Sequence, residues 1–420
     1  MRLFGRALAV SFFLLIFIGF AEWNLDWPFS PSRLQMSAKR LTATVRLKLP
    51  ADFPTGLPAP LAATLEGEAS GQSIFSLRPL PGEGTPVLAQ RDPTSGKLWM
   101  IRGVEPSERA STLDFVANPD AGDSAMRINR EPDGFLFSEL ERPILFYQET
   151  PKALDGKYKR ANYAHPVYGL DGEILTQDFP DDHPHHRGVF WAWHQLLVKE
   201  LRAGDPWGTK NFLAVVRSAV VVDEGPVFAT LKANVLWTSP RYQDGAGRPQ
   251  PIVEENSTIR VFRSSSKSQC LDFEIVLKPL VPGLRLGGSE NSRGYSGFTV
   301  RVKPPLEGVL HDSIGTLVQD RIGEASPWAD YSGRFGATDR VSGLAILSHP
   351  SLPEFPPKWV LRHYGMVNAA YPGQHAVPVP EDSLVVLRHR VVVHRGTQSQ
   401  ARIPDHQKIY ETGWQIPDIR

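Results

Sequence analysis

The chain has 420 residues, of which 41% are hydrophobic and 22% charged, and its 46 Lys plus Arg against 45 Asp plus Glu give a formal charge of +1. Such values exclude a globally disordered polymer and leave room for two domains with real cores. A charge balance this even also excludes the strongly basic surface of a nucleic-acid binder.

In chain order, residues 1–21 come first. Arg2 and Arg6 precede an uncharged, mostly apolar run from Ala7 to Ala21, with Gly19-Phe20-Ala21 as a small-x-small cleavage site. The run is shorter than the ~20 residues that span a bilayer and reads as a secretory signal peptide, with an uncleaved N-terminal anchor as the alternative. Either reading exports the folded part to the periplasm or outside the cell. No later segment is apolar enough to cross a membrane. Residues 22–38, with Pro28 and Pro31, read as a linker. Residues 39–118 alternate apolar and polar positions over Thr42–Leu49 and carry short strand-like runs at 86–90 and 97–101, which predicts an accessory β-sandwich module.

The larger domain, residues 127–400, repeats the period of two. Leu271, Phe273, Ile275 and Leu277 share one face of a predicted strand, and a β-branched run spans Ser383 to His394. Strands wet on one face and packed on the other predict a large antiparallel β-sandwich. No long amphipathic helix is evident, and 401–420 reads as a C-terminal tail. The single cysteine, Cys270, lies in a strand pattern and is expected to be a small buried hydrophobe without a disulfide partner.

Chemistry concentrates at 178–194, where four of the twelve histidines fall. If Asp182-His183-Pro184-His185-His186-Arg187-Gly188 is extended, side chains alternate, so Asp181, His183 and His185 project together, with the two imidazoles about 7 Å of chain apart. Pro184 restricts the segment to an edge strand or a loop. One face then offers imidazoles and a carboxylate for acid/base work on a sugar hydroxyl or, at His183/His185, for a divalent metal. Arg187 is a candidate clamp for an anion, Gly188 allows close backbone approach to a ligand, and Trp191 is a candidate stacking ring. A second group is the glycine-rich turn 287–297, with Glu290 (or, alternatively, Asp182 of the first segment) as the carboxylate partner for the histidines and Arg293 and Tyr295 as substrate contacts. A third is Trp328, Asp330 and Tyr331, followed by His349. Arg362-His363-Tyr364, His389 and His394 are weaker candidates. Histidines that merely satisfy loop backbone groups are the competing structural reading.

These residues resemble the exported family labelled methane oxygenase PmoA-like. The resemblance rests on Tyr168-Gly169-x-Asp171-Gly172, the Asp182–Gly188 segment, the turn from Glu290 to Gly297, Trp328 to Gly333, His349-Pro350 and Val391-Val392-Val393-His394-x-Gly396, over roughly 130–398. It implies an exported bacterial protein concerned with glycan processing, and the main domain also resembles the galactose-mutarotase-like supersandwich, in which a His and a Glu do acid/base work on a sugar. The expectation is therefore a carbohydrate-active enzyme of lyase, hydrolase or epimerase type. His183, His185, His186 and Glu290 would be its catalytic groups, and Asp182, Arg187, Trp191, Arg293, Tyr295, Trp328, Asp330, Tyr331 and His349 would line the substrate. The alternatives are a non-catalytic glycan-binding module and a metal-dependent, copper-type oxidoreductase. The expected partner is a carbohydrate ligand, not nucleic acid.

Overall fold

The computed structural model describes residues 43–413 apart from 67–70, 81–83, 110 and 337–338. The expected signal peptide (1–21) and linker (22–38) lie outside the described residues. These described residues form one compact unit.

The fold is all-β, with several antiparallel sheets. In the accessory module, strands Ala43–Lys48, Ala59–Glu66, Leu98–Arg102, Val87–Arg91, Ile74–Pro79 and Thr112–Pro119 are neighbours in that order. The sheet then closes on itself, because Ala43–Lys48 also pairs with Thr112–Pro119 (Val45 opposite Phe115). The expected small β-module is thus a closed barrel, not two facing sheets. The inward set Val45, Phe75, Leu77, Ala89, Leu98, Met100 and Phe115 fills it, and closure leaves no unpaired edge.

The main region is built on two nine-stranded sheets. One runs from Arg321–Ala325 through Lys358–Arg362, Met366–Ala370, Ser296–Arg301, Val189–Trp193, Tyr163–Val167, Arg142–Gln148 and Gly134–Glu139 to Met126–Glu131. The other has Leu213–Asp223, Phe228–Gln243, Pro249–Phe262, Ser268–Pro279, Val385–Arg395, Val341–Ser348, Trp328–Arg334, Leu306–Asp312 and Gly315–Thr316. Their facing sides share one core, with Trp191, Trp193, Phe298 and Trp359 from the first sheet and Val235, Trp237, Phe273, Ile275 and Val391 from the second. The predicted inward set Leu271, Phe273, Ile275 and Leu277 is buried as the alternation requires. Cys270, on the opposite face of the same strand, is buried beside Trp99 and Phe262. Burial pushes its thiol up to about 12.

The C-terminal segment departs from the expected tail. Thr397 caps a short helix, Gln398–Ala401, and a second helix spans Ile403–Gly413. Ile409 enters the barrel core, and Ile403 and Tyr410 pack with Trp99, Phe262 and Trp328. The helix is only 11 residues long and has a short apolar stripe, so burial against two sheets, not propensity, holds it. No helix among the described residues is long and apolar enough to cross a membrane.

Candidate functional site

Strand Val189–Trp193 sets the site. Val189, Trp191 and Trp193 point into the inter-sheet core, so Phe190 and Ala192 project from the other face of the same sheet. There they join Tyr163, Trp207 and Met366 in a small apolar cluster flanked by Tyr295 and Tyr364. The histidine segment lies on this platform.

The segment is not extended, and this corrects the predicted alternation. The His183 amide donates to the Pro180 carbonyl (3.1 Å) and the His186 amide to the His183 carbonyl (2.9 Å), two successive turns. The turns gather all three imidazoles on one side. His183 and His186 stack with ring centres 4.8 Å apart and planes 2° apart, and His185 stands edge-on to His186 at 4.5 Å. The circuit then closes through other elements. Tyr364 stacks on His183 (4.9 Å), His186 meets the edge of Trp207 (5.8 Å), and Trp207 stacks on Tyr295 (5.5 Å), whose phenol is near enough to that of Tyr364 to help raise it. The result is a ring of imidazoles, phenols and one indole. His186 is buried within it, while His183 keeps 38% of its side chain exposed.

Two His–Asp pairs border the ring. His183 Nδ1 donates to Asp182 (2.9 Å), whose other oxygen accepts from Arg301 Nη2 (2.7 Å). Burial pushes Asp182 up, but the hydrogen bonds from His183 and Arg301 outweigh it and hold the carboxyl below its ordinary value. His194 Nδ1 donates to Asp205 (3.1 Å). Asp205 also caps the Gly208 amide (2.7 Å), which shapes the turn that presents Trp207. Burial, reinforced by Arg160 and the neighbouring imidazoles, lowers His185 to about 3, and burial with His185 as the next cause drives His186 well below its usual value. Both rings are therefore neutral at ordinary pH, able to accept one hydrogen bond and donate another.

Several expected site residues lie elsewhere. Arg187 is fully buried under the segment, paired with Asp178 (2.9 Å), bonded to the Tyr158 carbonyl and set over the Phe179 ring (3.1 Å to its centre), so it braces the turns and binds no anion. Gly188 packs on the adjacent strand, where a Cβ would come within 2.1 Å of the Ala164 carbonyl oxygen, so its close approach is to protein, not ligand. Trp191 is a core residue whose indole N–H donates to Glu255 (2.8 Å). Glu290 is exposed and held by Arg202 (3.1 Å), which also bonds the His194 carbonyl (3.2 Å); the carboxylate partner of the histidines is Asp182. Arg293 is exposed in the same turn, and Tyr295 alone of that group joins the ring.

The third group does not converge with the histidines. Trp328 packs against the barrel and the C-terminal helix. Asp330 is sealed in the second sheet, accepting from His394 Nε2 (2.7 Å). Tyr331 is buried and its hydroxyl donates to the His363 carbonyl (2.6 Å). His349 is 3% exposed, bonded to Ser351 (2.8 Å) and edge-on to Tyr410. Nor do His183 and His185 gain further ligands. Among the described residues no group of three or more His, Cys, Asp or Glu side chains is arranged to hold a metal ion. The face-to-face stack of His183 and His186 turns their in-plane nitrogens away from a common point.

Sequence reasoning missed Trp207, Arg160, Arg301 and Glu255, and Tyr364 was only a weak candidate. Asp205-Pro206-Trp207-Gly208 has the composition of a turn, a signal open to reading. Glu255 sits at an inward position of an alternating strand, the signature of a buried acid. It is fully buried and accepts from Trp191 (2.8 Å), Trp237 (2.8 Å), Asn162 (2.7 Å) and Ser257. Burial raises its carboxyl despite those four donors.

A family model described as "Family of unknown function (DUF6807)" matches residues 139–408. The chain belongs to that family. The DUF6807 match takes in the histidine segment, Trp207, Glu255, Arg301 and Tyr364 and leaves the barrel outside. None of the curated proteins matches the sequence. Among solved structures, this DUF6807 protein is similar to an alpha-mannosidase from Enterococcus faecalis V583, with 10% identity and a TM-score of 0.42 over 89% of this chain and 45% of that one. A protein in the glycosyl hydrolase family 38 from Enterococcus faecalis gives the same identity and TM-score, over 89% of this chain and 46% of that one. The chain thus spans less than half the length of either.

Proposed function

We propose that this protein is exported and acts on a carbohydrate at the imidazole–phenol ring, with His183 as the acid/base group. One observation carries the reading: the Arg301–Asp182–His183 relay, ending on a half-exposed imidazole held between two stacked rings. Asp182 fixes the proton on His183 Nδ1, which leaves Nε2 as the basic nitrogen. A base so oriented takes a proton from a sugar hydroxyl or an activated sugar carbon, and returns it in a lyase, epimerase or hydrolase step. The face of Tyr295 turned away from Trp207 suits the C–H face of a pyranose, and neutral His185 and His186 suit its hydroxyls. The resemblance of Asp182–Gly188 to exported PmoA-like proteins supports the export and glycan-processing parts of the reading.

The test is a panel of oligosaccharides incubated with purified protein, with products read by mass spectrometry. His183→Asn and Asp182→Asn are expected to lower turnover by roughly 10²–10⁴-fold with melting temperatures close to wild type. A glycan that binds but yields no product under any condition would replace catalysis by recognition. Variants that melt far below wild type, beside a wild-type protein inert towards every sugar, would refute the site.

A further inference from the structure

Arg160 is a buried charge without a carboxylate partner among the described residues. It is 7% exposed, and its Nη2 donates to the carbonyls of Pro206 and Trp207 (2.9 Å each). Its Nε has no partner, and among the described residues no carboxylate is ion-paired with it. A buried guanidinium normally has a carboxylate, because desolvation is otherwise uncompensated. Asp178 is already engaged by Arg187 and Lys152, Asp205 by His194 and Asp182 by Arg301, and Glu255, which lines the same small cavity as Arg160, is bonded to four neutral donors and makes no ion pair with it. Arg160 stacks on Phe190 (4.9 Å), whose ring lies under His186 (6.0 Å). Its charge also acts on both His185 and His186.

Two further features point the same way. Arg301, 2% exposed, has neither Nε nor Nη1 bonded, and it lies against the Tyr364 face (4.8 Å). On the other side of the ring the hairpin Lys152–Leu154/Lys157–Arg160 brings Tyr158 to 6.4 Å from His185 and exposes Lys157 and Lys159 on either side of it. Buried positive charge therefore sits behind the imidazoles, and the hairpin that brings Tyr158 to them exposes two lysines.

We propose that the sugar taken by this site is anionic, carrying a carboxylate or a sulfate ester that supplies the counter-charge Arg160 lacks within the protein. The inference rests on the carbohydrate reading above and narrows it to acidic glycans. Guanidinium groups pair with either oxyanion through paired N–H donors. The low-dielectric platform strengthens that attraction, and the two lysines add a salt-sensitive component.

The experiment is calorimetric titration of the full-length protein with three oligosaccharides of matched length, one of uronic acids, one sulfated and one neutral, at about 0.05 M and about 0.5 M NaCl. At low salt at least one acidic oligosaccharide is expected to bind about tenfold or more tightly than the neutral one, with the gap closing at high salt. The tighter of the two acidic arms names the charged group. Lys157→Ala/Lys159→Ala lies on an exposed hairpin and is expected to lose several-fold in affinity for the acidic ligand only, and Arg160→Gln to lose more. If Arg160→Gln does not fold, the lysine pair and the salt dependence decide. Equal affinity for the neutral and acidic sugars at low salt, with binding still sensitive to Tyr364→Ala, overturns this inference and leaves the carbohydrate reading standing. No binding in any arm overturns both.

Discussion

Acid should unfold this protein well above the pKa of its carboxylates, and buried histidines give the magnitude. His349, His389 and His406 are each 3% exposed or less. Burial lowers His349 to about 4, and His389 and His406 to about 3. In the unfolded chain each titrates near the ordinary value of about 6.5. The folded values are depressed, so above 6.5 neither state holds the protons and the full stability is present. As pH falls below 6.5 the unfolded chain takes up protons that the native state refuses, and stability is lost down to the native values. By pH 5 each of the three costs roughly 2 kcal/mol, about 6 kcal/mol together, against a total stability on the order of 5–15 kcal/mol. His165 and His185, lowered to about 4 and about 3, add to the loss in the same direction. The assay is urea denaturation followed by tryptophan fluorescence from pH 7.5 to 5. A companion variant, His406→Leu, sharpens it. Neither ring nitrogen of His406 has a hydrogen-bond partner, so the apolar replacement should cost little at pH 7.5 and should flatten the acid slope by roughly one proton. A stability that stays level from pH 7.5 to 5, or a His406→Leu slope identical to wild type, would refute the reasoning.

Three other outcomes follow from the geometry. Glu255→Leu strands four buried donors, from Trp191, Trp237, Asn162 and Ser257; it should destabilise by about 3 kcal/mol or more in chemical denaturation, while Glu255→Gln, which keeps an acceptor oxygen, should cost less. Arg301→Lys should uncouple the relay: with Asp182 no longer held, the pH–rate profile of turnover should shift while substrate affinity changes less, whereas a purely structural role would lower melting temperature and leave the profile in place. Cys270, buried with its thiol pushed up to about 12, should resist a thiol reagent in native protein and react fully in denaturant; rapid native labelling would place it at the surface.

The strand pattern was legible because alternation is local. Apolar residues two positions apart mark the two faces of a strand as different, and Leu271, Phe273, Ile275 and Leu277 share a buried face as that pattern requires. The segment Asp182–Gly188 was legible as a place where chemistry gathers, because histidine, proline and aspartate cluster there. Its shape was not, since the turns after Pro180 and His183 depend on Arg187 being anchored from beneath by Asp178 and the Tyr158 carbonyl. Trp191 and Trp328 read equally well as sugar platforms or core, and a strand face has no sign of inside or outside until its partner sheet is present.

Sequence alone determined the strand-rich class, the buried fate of Cys270 and the segment holding the imidazoles, all of which depend on residues close together in the chain. Tertiary structure alone decided that the first and last strands of the small module close a barrel, and that Asp182 and not Glu290 serves His183, steadied by Arg301 119 positions away. It also decided that Trp207, Tyr295 and Tyr364 complete a ring with that histidine. Such pairings are fixed by sheet order and register, which no local pattern encodes.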